Sequence, residues 1–210
     1  MKGVVISLCD ESGIFVKPWV NAGYRAILVD PQHKKTCVEG RIMKVAAKIE
    51  DCLPAIGVFL RRYDIKFVAG FPPCTDVSVS GARWWDSKFK KDRYFQAKAA
   101  IVAEQCRTIG ELSGAKWFFE NPVSGFSGIF GKPDYTFNPS DYTGYCQNDN
   151  YSKKTCLWTG NGFIMPEPYI NSSLPAPDNR IHKMPPSPDR AAARSKTPEG
   201  FSIATFKTNA

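Results

Sequence analysis

The chain has 210 residues, with 28 lysines and arginines against 20 acidic residues and 43% hydrophobic content. That length fits one compact domain, and near-average apolar and charged shares exclude disorder or a coiled coil as an account of the whole. No stretch approaches the ~18 apolar residues of a membrane span, and Asp10 and Glu11 break the apolar N-terminal run too early for a secretory signal, so a cytoplasmic location is expected.

The net charge of +8 suits a polyanionic partner. Seven cysteines, none in a CxxC pair, and two distant histidines lack metal-ligand spacing, so no metal is expected.

In chain order, residues 4–7 form a short apolar run, and residues 15–23 suit a short helix with Pro18 in its first turn and Gly23 as its stop. Residues 26–30 (AILVD) have the length of a buried strand ending in an acid. Residues 40–62 carry helical spacing interrupted at Pro54, and residues 66–71 read as another buried strand ending at Pro72-Pro73. A long helix is expected over 90–112, with Ala97, Ile101, Cys106, Ile109 and Leu112 on its apolar face. Residues 116–120 and 155–159 are further strands, and a last short helix spans 200–206. Strands alternating with helices predict an α/β fold with a doubly wound, mostly parallel sheet. Residues 1–124 form the core, 125–150 a short irregular substrate segment, and 151–210 a strand, a proline-rich excursion and a helix completing the same domain.

Ligands in such sheets bind past the carboxyl ends of the strands. Those ends are here Ser7 to Gly13, Asp30, the Pro72-Pro73-Cys74 turn and Glu120-Asn121-Pro122. Two prolines stiffen the chain before Cys74, and Ser78, Ser80 and Gly81 follow it. A cysteine nucleophile with a carboxyl nearby suits attack on an electron-poor ring whose nitrogen the acid protonates. Trp84 and Trp85 follow Arg83 beside Lys88, Lys90, Lys91 and Arg93, an arrangement suited to stacking and to phosphates. Trp19, Trp117 and Trp158 lie in apolar segments and are expected in the core.

These segments resemble, in order, the DNA (cytosine-5)-methyltransferases. Ser7-Leu8 through Gly13, then Phe15 and Gly23, has the spacing of that family's first cofactor motif. Phe71-Pro72-Pro73-Cys74 with Ser78 and Gly81 looks like its nucleophile motif. Glu120-Asn121-Pro122, 46 residues after Cys74, looks like the ENV motif. Asp141-Tyr142, Gln147-Asn148 and Lys153-Lys154-Thr155 are similar to DYG…QNRER, and Arg190 to Arg194 with Pro198-Glu199-Gly200-Phe201 to REAARLQxFPDxF.

The resemblance implies a Rossmann-like class I S-adenosylmethionine-dependent methyltransferase that acts on C5 of a flipped-out cytosine in DNA. Cys74 would add to C6 and Glu120 would hydrogen-bond N3, with Asn121, Lys153 and Thr155 around them. Ser7, Leu8, Cys9, Gly13, Asp30, Pro31, Asp51, Cys52, Phe71 and Pro73 would hold the cofactor. Asp30 would take the ribose hydroxyls and Asp51 the adenine. Thr75, Ser78, Ser80, Gly81, Arg83, Trp84 and Lys154 would contact DNA, Lys154 as a substitute for the family's arginine.

Three departures stand out. Glu11 and Ile14 replace glycines and Cys9 an aromatic, so Asp10-Glu11 is expected to place acid beside the donor's carboxylate. Lys153 and Thr155 replace the arginine pair. Only about 30 residues separate Gly160 from Arg190, too few for a separate recognition domain, as in short bacteriophage-like members. Specificity is therefore expected to be short or relaxed, and the protein a monomer. Two alternatives stay open: a related enzyme using single-stranded DNA, a nucleotide or a modified sulfonium donor, and a non-catalytic DNA-binding homologue.

Overall fold

A computed structural model describes residues 2–185 and 194–210. Eight strands form one sheet: β1 (Val4–Leu8), β2 (Arg25–Val29), β3 (Cys37–Glu39), β4 (Ile42–Val45), β5 (Ile65–Gly70), β6 (Lys116–Pro122), β7 (Tyr135–Phe137) and β8 (Thr155–Gly160). Their order is β3-β4-β2-β1-β5-β6-β8-β7. The five central strands β4, β2, β1, β5 and β6 are mutually parallel. β3 runs antiparallel to β4 at one edge, and β8 runs antiparallel to both β6 and β7 at the other. The expected α/β architecture is present, as a mixed sheet that is parallel through its centre.

The strands are buried on both faces because their alternate side chains meet two separate layers. Val4, Ile6 and Leu8 pack with Ile49 and Ile56 of α2 (Ile49–Arg62) and with Ala99, Ala103 and Cys106 of α4 (Phe95–Ser113). Val5, Leu28, Phe67 and Phe118 face the opposite layer, with Trp19 of α1 (Lys17–Asn21) and Phe201 and Ala204 of the C-terminal helix α6 (Glu199–Asn209). Trp19, Trp117 and Trp158 are buried, as their apolar neighbours predict.

Three helical expectations are corrected. Residues 40–62 are not one helix: Gly40, at φ +59°, turns a β3–β4 hairpin, and α2 begins only at Ile49. Nor does Pro54 interrupt α2, which runs through it to Arg62. Pro54 is exposed, so the one lost N–H bond leaves its acceptor within reach of water. The helix expected over 90–112 is two: α3 (Trp85–Lys91) and α4, separated by extended Asp92.

The buried face of α4 also differs from the expected one. Cys106 and Ile109 face inward as expected, together with Phe95, Ala99, Ala103 and Gly110, while Ala97, Ile101 and Leu112 are exposed. Close approach decides this, because only small residues let the helix lie directly on β5 and β6. A Cβ on Gly110 would overlap the Trp117 ring, and one on Gly70 would stand 2.7 Å from Cys106 Cβ. Gly110→Ala is therefore expected to cost about 1–3 kcal/mol. Gly57→Ala, whose Cβ would meet nothing closer than 3.9 Å, is expected to leave stability equal or higher. Thermal melts of the two variants check the contrast.

Chain order runs outward from β1 to β2 and β4, then returns across the sheet to β5 and β6. The chain order reverses between β1 and β5, and in such sheets ligands usually bind in the crevice outside the carboxyl ends of the strands at that switch.

Candidate active site

Beyond β5 the chain turns sharply. The N–H groups of Val77 and Ser78 both donate to Cys74 O, at 3.2 and 2.9 Å. Phe71 anchors the approach by packing its ring against Phe15 and Phe118, with centroids 5.8 Å away in both cases. Pro72 is buried, Pro73 exposed and Cys74 half-buried. A stiff, anchored turn thus presents a thiol at the strand end.

β6 lies beside β5 in parallel register, Gly70 opposite Phe119, so Glu120-Asn121-Pro122 emerges next to that turn. Asn121 Nδ2 donates to Pro72 O at 2.9 Å and ties the two strand ends together. Asn121 Oδ1 and Glu120 Oε2 are sealed from solvent with no partner among the described residues. Buried unpartnered oxygens are costly and mark a place where a ligand's donors would be accepted. Burial pushes the Glu120 carboxyl above its ordinary range, against a smaller opposing pull from Lys153. Burial likewise raises the Cys74 thiol, Glu120 raises it further, and Lys153 and Arg194 draw it back down. The thiol therefore feels the charge of all three neighbours, and the carboxyl that of Lys153.

Lys153 arrives here through the antiparallel run of β8. With Thr155 opposite Pro122, the start of β8 lies where β6 ends. The two lysines just before β8 differ in burial: Lys153 is buried and Lys154 exposed, so Lys153 is the cation turned inward beside Glu120. Thr155 is buried with its hydroxyl donated to Lys153 O at 2.9 Å. Arg194 joins from the segment before α6, whereas Arg190 lies outside the described residues. Sequence reasoning missed Tyr151, which lies under the Arg180 guanidinium and whose hydroxyl is raised chiefly by burial, with smaller contributions from Asp149 and Glu120. Nothing in its sequence context distinguishes it from the other tyrosines of that irregular stretch.

The second half of the crevice is built on β1, β2 and β4. After Leu8, Cys9 takes a left-handed conformation (φ +56°), and the loop closes around Asp10. The Asp10 carboxylate accepts Ser7 Oγ at 2.7 Å, Ser12 Oγ at 3.0 Å and Gly13 N at 2.7 Å. Asp10 is 4% exposed. The carboxylate is thus folded back into its own loop by three neutral donors, which leave its negative charge in place, and Glu11 is exposed. Gly13 sits at φ +64°, where a Cβ would also meet Leu28 Cδ2 at 2.9 Å.

Asp30 ends β2, buried, with Oδ1 accepting Gln32 N at 2.7 Å; its other oxygen has no partner among the described residues. Pro31 beside it is exposed. Asp51 is exposed in the first turn of α2, and Cys52 is half-buried with its thiol donated to Lys48 O and Ile49 O. Because β4 pairs with β2 as Val45 with Val29, this first turn stands on the same edge of the sheet as Asp30. One free carboxylate oxygen beside a glycine-containing loop fits the vicinal hydroxyls and backbone approach that an adenosyl group requires.

Of the remaining predicted contacts, Thr75, Ser80, Arg83 and Trp84 are exposed, Gly81 is half-buried, and Ser78 is buried with its hydroxyl 2.8 Å from Ser80 Oγ. A broad apolar recess of about 700 Å³ lies elsewhere, between α2 and α4. Its one carboxylate, Glu104, is paired with Arg107, so nothing there is free for acid–base chemistry. Among the described residues no helix is long and apolar enough to cross a membrane, and no three His, Cys, Asp or Glu side chains gather at metal-binding range. Neither family models nor curated proteins give a significant match to this chain.

Proposed function

We propose that this chain is a DNA cytosine C5 methyltransferase with Cys74 as nucleophile and Glu120 as the acid that activates the base. The observation that carries the proposal is the meeting of a half-buried thiol, a sealed carboxyl with an unpartnered oxygen, and a buried lysine at two adjacent strand ends. The parallel centre and reversed hairpin edge support a class I methyltransferase scaffold.

Cytosine C5 is a poor nucleophile until electron density enters the ring. The Cys74 thiolate would form a bond to C6, and the displaced π electrons would run to N3. Glu120, whose proton is held more tightly because of burial, would donate it there, with Lys153 nearby to stabilise the carboxylate that results. Asn121 fixes the distance between the two groups through Pro72 and has an amide oxygen left to accept the cytosine amino group. After transfer, a solvent water would take the C5 proton, the C6–S bond would break to return the Cys74 thiolate, and the N3 proton would go back to the Glu120 carboxylate. The base must leave the helical stack to reach this site, at a cost of a few kcal/mol in a duplex.

Asp30 and the Ser7–Gly13 loop would hold S-adenosylmethionine, which when bound supplies a sulfonium methyl group for C5. Asp30→Asn keeps the Oδ1 bond to Gln32 N but removes the charge, and is expected to weaken donor binding about tenfold or more in calorimetry. Transfer of label from S-adenosylmethionine to DNA as 5-methylcytosine tests the proposal. Absence of transfer to duplex and single-stranded substrates alike, together with absence of donor binding, would overturn it.

A further inference from the structure

The nucleophile turn is followed by residues 79–94, which carry three exposed aromatic rings. Trp84 is 56% exposed, Phe89 50% and Tyr94 68%. Arginines stack on two of them: Arg83 lies 5.1 Å from the Trp84 ring centre, and Arg93 lies 6.0 Å from that of Phe89. Large exposed aromatics do not stabilise a fold, and three within eleven residues are unusual on a surface with no further role. Between Arg83 and Tyr94 five cations stand against two carboxylates, and Arg83, Lys91 and Arg93 have no ion-pair partner among the described residues.

This surface is fixed to the catalytic turn. Lys88 Nζ donates to Thr75 O at 2.8 Å and to Asp76 Oδ1 at 2.7 Å, so α3 is held against the residues that directly follow Cys74. The opposite need, an element that reads base edges in a duplex groove, is not met by the excursion after β8. There Tyr142 Oη donates to Pro166 O, Gly144 N to Tyr169 O and Ser152 N to Asp178 O, which ties the chain flat onto the body through Asp178. Groove readout requires a helix or ribbon that projects.

We infer that the Trp84–Tyr94 surface is a stacking platform for single-stranded DNA, and that the acceptor cytosine is presented in an unpaired strand. The inference rests on the methyltransferase reading for its choice of DNA. Aromatic faces alternating with unpaired cations match a strand's exposed bases and phosphates, because stacking accepts any base and the cations follow the backbone. An unpaired strand also spares the unstacking and unpairing that a duplex target demands.

Fluorescence anisotropy with labelled oligo(dT) of 20 nucleotides, a 20-base-pair duplex and oligo(U) tests this without any cytosine methylation. The single DNA strand is expected to bind at least tenfold more tightly than the duplex. The triple variant W84A/F89A/Y94A is expected to lose at least tenfold in affinity with its salt dependence unchanged. R83Q/K91Q/R93Q is expected to flatten the log–log salt slope by about 2. All six side chains are exposed, so both variants should melt like the parent.

Equal or tighter binding of the duplex, unchanged binding by the aromatic variant, or tighter binding of oligo(U) would each overturn the inference. So would self-association through this face with no affinity for oligo(dT). Binding of oligo(dT) without methyl transfer would leave the platform standing and remove the methyltransferase reading. Transfer that favours duplex DNA would do the reverse.

Discussion

Replacing Cys74 with serine is expected to reduce methyl transfer to cytosine by at least about 10⁴-fold, while donor binding and melting temperature stay at parental values. The serine hydroxyl has nearly the same shape but too high a pKa to supply an anion to C6. Cys74 is half-buried at the end of a turn held by Phe71, Asn121 and its own carbonyl, none of which depends on the sulfur. Labelled transfer measured beside calorimetric donor binding separates the chemical step from the fold. A variant that retained a tenth of the parental rate would remove Cys74 from the mechanism.

Glu120→Gln is expected to cost about 10²–10⁴-fold in rate and at the same time to make the protein more stable. Burial raises the Glu120 pKa in the folded state, so the folded protein holds a proton that the unfolded chain releases. Stability from this group is therefore fully present below the unfolded pKa, near 4.3, and is lost as pH rises through the folded value. Glutamine has no charge to desolvate. The variant should melt above the parent at pH 7–8, and the gap should close as the pH approaches 4.

The rate should respond to pH in a related way. Catalysis needs the Cys74 thiolate together with protonated Glu120, so kcat/KM should rise as the thiol ionises and fall as the carboxyl does. Ionised Glu120 itself raises the thiol, hence the two limbs belong to the pair rather than to either residue. Glu120→Gln should abolish the alkaline limb. A parental profile without that limb would remove the carboxyl's role as acid.

The sequence alone determined much of this protein's frame. Continuous apolar runs at 4–7, 26–30 and 66–71 are legible as buried parallel strands because a sheet covered on both faces needs apolar side chains on both. Pro72-Pro73-Cys74 is visible as a strand end because proline cannot continue a central strand, whereas Glu120-Asn121-Pro122 stays within β6, paired with β8 beyond the last β5 partner at Phe119. Trp19, Trp117 and Trp158 were placed inward by their apolar neighbours. Asp30 was legible for the same reason, as an acid closing an apolar run.

The tertiary structure decided the rest. Apolar residues at helical spacing along α4 pointed to Cys106 and Ile109, which are buried, but also to Ile101 and Leu112, which are not; the buried face takes in the small Ala99, Ala103 and Gly110 instead, because Gly110 lies directly against Trp117. Spacing suggested one helix over 40–62, where a left-handed Gly40 and pairing with β2 instead draw residues 37–45 into the sheet. Lys153 and Lys154 are equivalent in sequence; the path of the chain into β8 buries the first and exposes the second. That the Asp10 carboxylate folds back onto Ser7, Ser12 and Gly13 is likewise visible only in the packed loop. Each of these outcomes depends on which face of an element meets another. Residue types and spacing fix the elements, but that choice of face is made only when the elements pack.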